Sequence, residues 1–415
     1  MKSKWPTIKL GEICEKIKKE KAPVGTIPYI EIGNVDVNSK KVIFNEKGAV
    51  KGSIFAPENS ILISRVRPTR GAVTFIDKKT AVSSAFTIIK PKPKCNPKLL
   101  FYFLAWNKKF FDYLGEKQKG TNYPSVREKD VLEFEISFPE NGEEQQKIVK
   151  ILDTIQEAID IQDKIIEKTK ELKKSLMAEL FKYGGPSFRK GRKLKKTEIG
   201  EIPEDWEVVR LGDKKKGEPL VLTLRNGLTY KQHELQESGI PITRIETIAD
   251  GKIDFDKVGY LKNIDQNLLE EYKLKKGDIL FSHINSEIHL GKTAIYLEDE
   301  KFILHGMNLL LIRPNSKFID SKFLNYLFNW YRDNGIFISI ASRAVNQASI
   351  NQNTLKNLKI PLPPLPEQQD IAEILQTIDQ KIEIEKKKKE LYEELFKTML
   401  NKIMSQEIDI EKIEI

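Results

Sequence analysis

The stretch that looks most like chemistry is Ser286-Glu-Ile-His-Leu-Gly291-Lys292-Thr293, which ends as a phosphate-binding loop does. Such a loop needs Gly-x-x-x-x-Gly-Lys-Ser/Thr, because the first glycine lets the backbone wrap the phosphates. Ser286 stands at that position, so the match is partial and nucleotide binding is not expected. His283, His289 and His305 lie near one another in sequence, yet they lack a cysteine partner and a usual zinc spacing. Cys14 and Cys95 are the only thiols, which suits neither a disulfide framework nor a zinc site and points to an intracellular, cytoplasmic chain. There is no Asn/Asp-Pro-Pro-aromatic motif for amino-methylation and no glycine-rich cofactor loop. Acidic pairs are frequent, but nothing marks any of them as catalytic. The expectation is a chain without catalysis of its own, without cofactor and without metal.

Charge gives a more positive signal. The 415 residues carry a formal net charge of +10, unevenly spread. Residues 1–140 sum to +11, residues 205–365 to +2 and residues 366–415 to −5. A polyanion would therefore meet the globular parts, the first more strongly, and avoid the tail. No apolar run approaches the length of a membrane span, and the first residues do not resemble a secretory signal.

The chain also repeats itself once. Trp5-Pro-Thr-Ile-Lys-Leu10-Gly11-Glu12 returns as Trp206-Glu-Val-Val-Arg-Leu211-Gly212-Asp213. Ile27-Pro28 returns as Ile240-Pro241, Ser64-Arg65 as Ser282-His283, and Ile89-Lys90-Pro91 as Ile312-Arg313-Pro314. Asn122-Tyr-Pro-Ser125-Val126 returns as Asn346-Gln-Ala-Ser349-Ile350, and Glu144-Gln145-Gln146 as Glu367-Gln368-Gln369. Six matches in one order imply two copies of one mixed α/β (α+β) unit. In the first copy, β-rich runs at Ile61–Val66, Ala72–Ile76 and Val82–Ile89 precede a helical stretch at Pro97–Leu114 and a closing strand at Leu132–Phe138. The second copy shows the helical stretch at Ser321–Asn334 and the closing strand at Leu358–Leu362.

Each copy ends in a long apolar stripe with 3,4 spacing. The first has Ile148, Leu152, Ile155, Ile159 and Ile166, then Leu172, Leu176 and Leu180; the second has Ile371, Leu375, Ile378 and Ile382, then Leu391, Leu395 and Met399. This spacing predicts two long helices, at about 1.5 Å per residue roughly 60 Å each. One alone would expose its stripe to water, so the two should pack together. With a head before each helix, an antiparallel coiled coil with a pseudo-twofold internal repeat follows. Both seams weaken midway, at Gln162 and at Glu385–Lys389. A solvated stretch of helix accounts for this more simply than a register device does. The boundaries expected are heads at 1–142 and 205–365, long helices at 143–183 and 366–404, a basic linker at 184–204 and a tail at 405–415. Duplex DNA offers equivalent groove faces about 34–36 Å apart per turn, which suits two similar heads on a rigid spacer.

From Leu176 to Asp213 the sequence resembles the specificity subunit of type I restriction–modification systems. The residues that carry this are Met177-Ala-Glu-Leu-Phe181, Thr197-Glu198-Ile199-Gly200-Glu201-Ile202-Pro203, Trp206 and Leu211-Gly212. Pro363-Pro364-Leu365-Pro366-Glu367-Gln368-Gln369-Asp370-Ile371-Ala372 is a second match, echoed at Phe138–Ile148. The resemblance implies two target recognition domains, each reading one half of an asymmetric bipartite site on double-stranded DNA. It further implies helices that set the spacing and dock modification (methyltransferase) subunits, two of them, and a restriction (motor–nuclease) subunit. The competing reading is a structural coiled-coil scaffold whose heads bind proteins.

If the heads read DNA, loops beside strands that combine Arg, Asn and Gln with glycine or aromatics are the candidates. In the first head these are Arg65, Arg67 and Arg70, with Lys119, Asn122, Tyr123 and Arg127. The repeat maps them to His283, Asn285 and Lys292, and to Arg343, Asn346 and Gln347. The basic linker, from Arg189 to Lys196, is expected to be solvated.

Overall fold

We describe the chain from a computed structural model. The description covers residues 5–298, 301–344 and 347–413, without the side chains of Ala249, Asp250, Asn285, Ala344, Gln347 and Glu411. Asn346 lies outside the described residues, as do the side chains of Asn285 and Gln347.

Two long helices, Gly142–Tyr183 and Leu365–Met404, organise the fold. The chain divides into two compact units, Met1–Lys164 with Glu385–Ile415, and Ile165–Ile384. The division cuts both long helices, so each unit owns one head and half of each helix. In the first unit, Ile148, Leu152 and Ile159 share a core with Phe396, Leu400 and Ile403, and Asp163 pairs with Lys389 at 2.7 Å. In the second, Met177, Leu180 and Phe181 share a core with Ile371, Ala372 and Leu375, and Lys173 pairs with Asp379 at 2.6 Å. Rising numbers on one helix meet falling numbers on the other, so the pairing is antiparallel. The polar midpoint differs from expectation in part: Gln162 and Glu385 are each only 8% exposed and so covered, whereas Lys387 and Lys388 are exposed as expected.

The two heads share one plan. In the first, Ser60–Ser64 lies between Val73–Ile76 and Phe86–Ile89, all antiparallel. All five residues of that central strand are buried, which explains its unbroken apolar run. In the second, Ile279–Ser282 lies between Thr293–Ile295 and Leu309–Pro314, and Val221–Asn226 is added outside the latter. The opening strand pairs with the closing one in both heads: Thr7–Lys9 with Glu135–Ser137, and Glu207–Arg210 with Lys359–Leu362. Three expected elements are broken. A turn at 83–85 splits the run Val82–Ile89, where the Phe86 N–H donates to the Ser83 carbonyl. The helical stretch Pro97–Leu114 is two helices, Pro97–Ala105 and Lys108–Lys117, because the Asn107 side chain caps the second at the Phe110 N–H. Leu132 ends a short helix, Glu128–Leu132, and the closing strand begins after it.

Each head is fastened to its long helix by the same set of hydrogen bonds. The Trp5 indole donates to Glu144 at 3.0 Å, and the Trp206 indole to Glu367 at 2.9 Å. Gln145 is buried; its amide donates to the carbonyls of Lys94 (3.1 Å) and Pro139 (2.8 Å) and its oxygen accepts the Asn96 N–H (2.7 Å). Gln368 repeats this with the carbonyls of Phe318 and Pro363, both at 2.9 Å, and the Asp320 N–H at 2.9 Å. One turn onward and more, Tyr102 donates to Asp153 at 2.5 Å and Tyr326 to Asp379 at 2.8 Å. The Glu-Gln-Gln motif is thus explained residue by residue: the Glu takes an indole, the first Gln takes backbone, and the second is exposed.

The segment expected to be a solvated linker is instead folded onto the second unit. Leu194–Thr197 and Gly200–Pro203 form a hairpin. The Arg192 guanidinium, 9% exposed, pairs with Asp205 and with Glu367, whose carboxylate is fully buried. Arg189 pairs with Glu179, and Lys195 donates to the carbonyls of Glu204 and Trp206.

Replacing Gln145 or Gln368 by Ala removes the partner of three backbone groups, one in a buried bond and two in part-buried ones, and a buried group left unpaired costs about 1–3 kcal/mol. Chemical denaturation should therefore show a loss of about 2 kcal/mol for Gln145→Ala, against a near-neutral Gln146→Ala. Equal effects for the two neighbours would refute this assignment of the motif.

Candidate nucleic-acid interface

The first head brings most of the expected residues together in one loop cluster. Chain reversal at 64–71 is held against 119–126 by backbone: the Val126 N–H donates to the Arg65 carbonyl at 3.0 Å and the Arg67 N–H to the Pro124 carbonyl at 2.7 Å. Lys119 and Ser125 exchange two bonds of 2.9 Å. Arg67, at φ +49°, opens the short turn Pro68–Arg70, and Gly71, at φ +78°, closes it. The Arg67 guanidinium lies over the Tyr123 ring at 5.1 Å. Tyr123 itself is 73% exposed, so this stacked pair faces solvent. Arg70, Lys119 and Asn122 are exposed beside it. Arg65 is tied down by its own head, with its guanidinium on the Ser84 carbonyl. Arg127 sits at the start of the helix Glu128–Leu132 and grips Asp130 through two bonds, of 3.0 and 2.6 Å. That grip, before any other cause, holds the Asp130 carboxyl down at about 2. Arg127, its side chain 71% exposed, is thus engaged by an ion pair within its own head.

The second head repeats the backbone and changes the side chains. Ile284–Asn285, Gln347–Ser349 and Ser342–Ala344 form a three-stranded sheet, matching the contacts of Val66, Ser125 and Lys119 in the first head. The Ile350 N–H donates to the His283 carbonyl at 2.8 Å, as Val126 does to Arg65. His283 is 8% exposed and its Nδ1 has no partner among the described residues. Burial pushes its pKa down, so the ring is neutral at pH 7 and offers one donor and one acceptor. Arg343 is paired with Glu287 at 3.3 Å. Lys292 is half-buried, and its carbonyl accepts the Ser282 N–H at 2.8 Å.

A hollow of about 440 Å³ opens beside His283, lined by Asn226, Ser349, Asn351, Gln352 and Asn353 among others. Sequence reasoning passed over these amides. Their signal was the run Asn351-Gln352-Asn353, where Asn351 also caps a short helix by accepting the Thr354 N–H at 2.8 Å. The partial phosphate-loop motif is not one in space. Ser286–Leu290 is a turn followed by the strand Thr293–Ile295, so no helix N-terminus faces a phosphate. Gly291 is required there for another reason: its φ is +73°, and a Cβ would lie 2.4 Å from the Phe337 ring.

Two heads with one backbone plan, each offering a loop surface of cationic or amide groups, carried on paired helices, define a duplicated recognition protein. Among the described residues no cluster of His, Cys, Asp and Glu could hold a metal, and no helix is long and apolar enough to cross a membrane. The chain belongs to the family of the type I restriction modification DNA specificity domain, whose model matches residues 2–171 and again 203–394. It is 52% identical over 218 residues to a putative type I restriction enzyme specificity subunit, MjaX, of Methanocaldococcus jannaschii, a match that spans 52% of this chain and 50% of that one. It is 32% identical over 424 residues to the MjaVIII specificity subunit of the same organism, covering 99% of this chain and 94% of that one. A solved chain from work on complex assembly and conformational transition of the type I restriction–modification system aligns with a TM-score of 0.60 at 19% identity, over 96% of this chain and 97% of that one, which shows a common fold.

Arg70 is exposed at the tip of its turn, where a phosphate is the natural partner. Arg70→Ala should weaken DNA binding evenly across sequences and reduce the slope of log K against log salt by about one. An unchanged slope in a salt titration would remove Arg70 from the interface.

Proposed function

We propose that the chain is the DNA sequence-specificity subunit of a type I restriction–modification complex, with each head reading one half of an asymmetric bipartite site. The observation that carries this is the pairing of sameness and difference in the heads. Their backbone contacts coincide, while Arg65, Arg67 and Tyr123 in one face His283, Arg343 and the amide-lined hollow in the other. Equal scaffolds with unequal reading surfaces suit two unequal half-sites. Arg67 and Tyr123, with Arg70, Lys119 and Asn122, are the contacts we assign to the first half. His283, Lys292 and Arg343 are assigned to the second, together with Asn285, Asn346 and Gln347 on sequence grounds. Arg65 and Arg127 act in this reading mainly by shaping the loop.

The heads correspond to 1–142 and 205–365, and the long helices to the spacer. Their continuity over 42 and 40 residues supports a role in fixing the gap between half-sites. Modification subunits, two of them, would dock on the helices, and a restriction subunit would complete a cytoplasmic complex. Methylation and cleavage belong to those partners.

The chain, assembled with its modification subunits, should select one split motif with a fixed gap from a random DNA library. Selection of one continuous site, or of none, would overturn the reading. Deleting seven residues at facing positions of both helices removes about 10 Å of rise, so the gap should shorten by about three base pairs. Both half-sites should stay the same in that selection; altered halves would rule out the helices as the ruler.

A further inference from the structure

We propose that Lys40 is a positioning residue for DNA reading by the first head. Its buried ammonium holds the carbonyl of Gly71 and so fixes the turn that presents Arg67 and Arg70. The inference rests on the reading of that turn as a DNA contact.

Lysine is seldom buried without a carboxylate partner. Lys40 is 6% exposed, and no ion pair is formed by it among the described residues. Its Nζ donates to the Gly71 carbonyl at 2.8 Å and lies 5.4 Å from the centre of the Phe111 ring and 5.8 Å from that of Trp106. The backbone of Lys40 is held as well. Its N–H donates to the Asp36 carbonyl at 2.8 Å, and its carbonyl accepts the Thr74 hydroxyl at 2.7 Å. Lys40 takes a φ of +61°, a region that side chains other than Gly and Asn avoid. The chain thus keeps a lysine in a conformation and a location that both disfavour one.

The ammonium adds a charged side-chain bond to a turn that backbone bonds already hold, the Arg70 N–H on the Arg67 carbonyl at 3.0 Å, the Gly71 N–H on the Pro68 carbonyl at 3.1 Å and the Arg67 N–H on the Pro124 carbonyl at 2.7 Å. Pro68–Arg70 is flanked by two left-handed residues, Arg67 and Gly71. The Gly71 carbonyl accepts the Val73 N–H at 2.9 Å and the Lys40 ammonium, which fills both its lone pairs. A Cβ at Gly71 would come within 3.1 Å of Nζ, so the turn sits directly on the charge. The turn at Ser286–Leu290 in the second head is likewise closed by backbone, with the N–H groups of His289 and Leu290 on the Ser286 carbonyl, but among the described residues no buried ammonium is bonded to it.

The same burial makes the support sensitive to pH. Desolvation, opposed by the charge of Asp36, brings the Lys40 pKa down to about 8. Asp36 stays ionised, since its carboxylate accepts the N–H groups of Ser39 and Asn38 and the Ser39 hydroxyl. The elements packed on the ammonium present the rings of Phe111 and Trp106. Above pH 8 a charge-assisted bond becomes a weaker neutral one. The folded pKa lies below the unfolded value of 10.5, so stability rises with pH across this window. Titration of Lys40 therefore does not itself favour unfolding in this window.

The test uses the full chain assembled with its modification subunits, with library selection and affinity measured from pH 7 to 9. Lys40→Met should blur the half of the motif that Arg67→Ala also blurs, leave the other half intact and weaken binding by about tenfold. Wild-type affinity should fall between pH 7 and 9 while the melting temperature does not, and Lys40→Met should be flat. Lys40→Arg, which keeps the charge, should retain part of the selectivity. A sharp motif in Lys40→Met, or a wild-type profile without a fall above pH 8, overturns the role of Lys40. If Lys40→Met does not fold, the wild-type profile decides alone. If the wild-type complex selects no split motif, the reading of the heads fails instead.

Discussion

The beginning of a long helix, buried against a folded head, is the most demanding place in this structure. Helix starts leave backbone groups unpaired, and the loops that meet them bring more. Burial against the head restricts these groups' access to water, so a partner inside the protein stabilises each. Gln145 and Gln368 provide it, each with two donated bonds and one accepted. A glutamine suits this because its amide carries donors and an acceptor without a charge that burial would penalise. The adjacent glutamate then anchors the indole that begins each head. In the second unit that carboxylate is fully buried and needs a cation, which is why Arg192 folds in beneath it. The guanidinium of Arg192 is pushed further above its ordinary range chiefly by that bond to Glu367. The basic segment after the first long helix therefore contributes Arg192 to the joint, while Lys190, Lys193 and Lys196 stay exposed.

Because the joint is made with backbone carbonyls, it constrains the path of the chain and leaves the loop side chains unrestricted. The duplicated contacts bear this out. Tyr102 and Tyr326 both donate to an aspartate of the long helix, Asp153 and Asp379, although the second lies about one turn further along its helix, and burial raises both phenol pKa values. The bond from residue 126 to residue 65 recurs from 350 to 283, with arginine replaced by histidine at the accepting position. Reading surfaces can thus diverge while the scaffold is unchanged.

This division explains what the sequence could disclose. The Trp and Glu-Gln-Gln matches are residues of the joint and the Leu-Gly matches follow directly on the opening strands, with Leu10 and Leu211 fully buried, so they were visible as a repeat. The 3,4 stripe was visible where burial along a helix imposes it, as at Ile148, Leu152, Ile371 and Leu375, but the expected seam positions Leu172, Leu391 and Leu395 are 57%, 64% and 45% exposed and lie off the buried face. Breaks that depend on one side chain were hidden. Asn107 interrupts a helix by capping the next, within a stretch whose apolar pattern runs on. Gln162 looks like a solvated residue, and its burial follows only from the facing helix. Lys40 is one of 70 basic residues, and nothing in its neighbours announces that it is covered. The arginine cluster at 65–70 was legible as a candidate, whereas the pairing of Arg127 with Asp130 was a spacing of three that only the helix start brings together.

The charges that remain available differ between the heads in kind. In the first, Arg70 and Lys119 are exposed and form no ion pair among the described residues, and Arg67 rests on an aromatic ring that leaves its charge intact. In the second, Arg313 is held by the buried Asp278 through two bonds of 2.7 Å, Arg225 by Glu271 and Arg343 by Glu287. His283 and His305 are both neutral, the latter with its pKa brought down to about 4 by burial. Cations attract any phosphate and respond strongly to salt, while amides and neutral imidazoles gain only where donors and acceptors match. On the proposed reading of the heads, the first, with its charge of +11 over residues 1–140, supplies attraction and the second discrimination. Joined through one chain, the two would bind as a single event, since the second contact is made at the high effective concentration that the first creates.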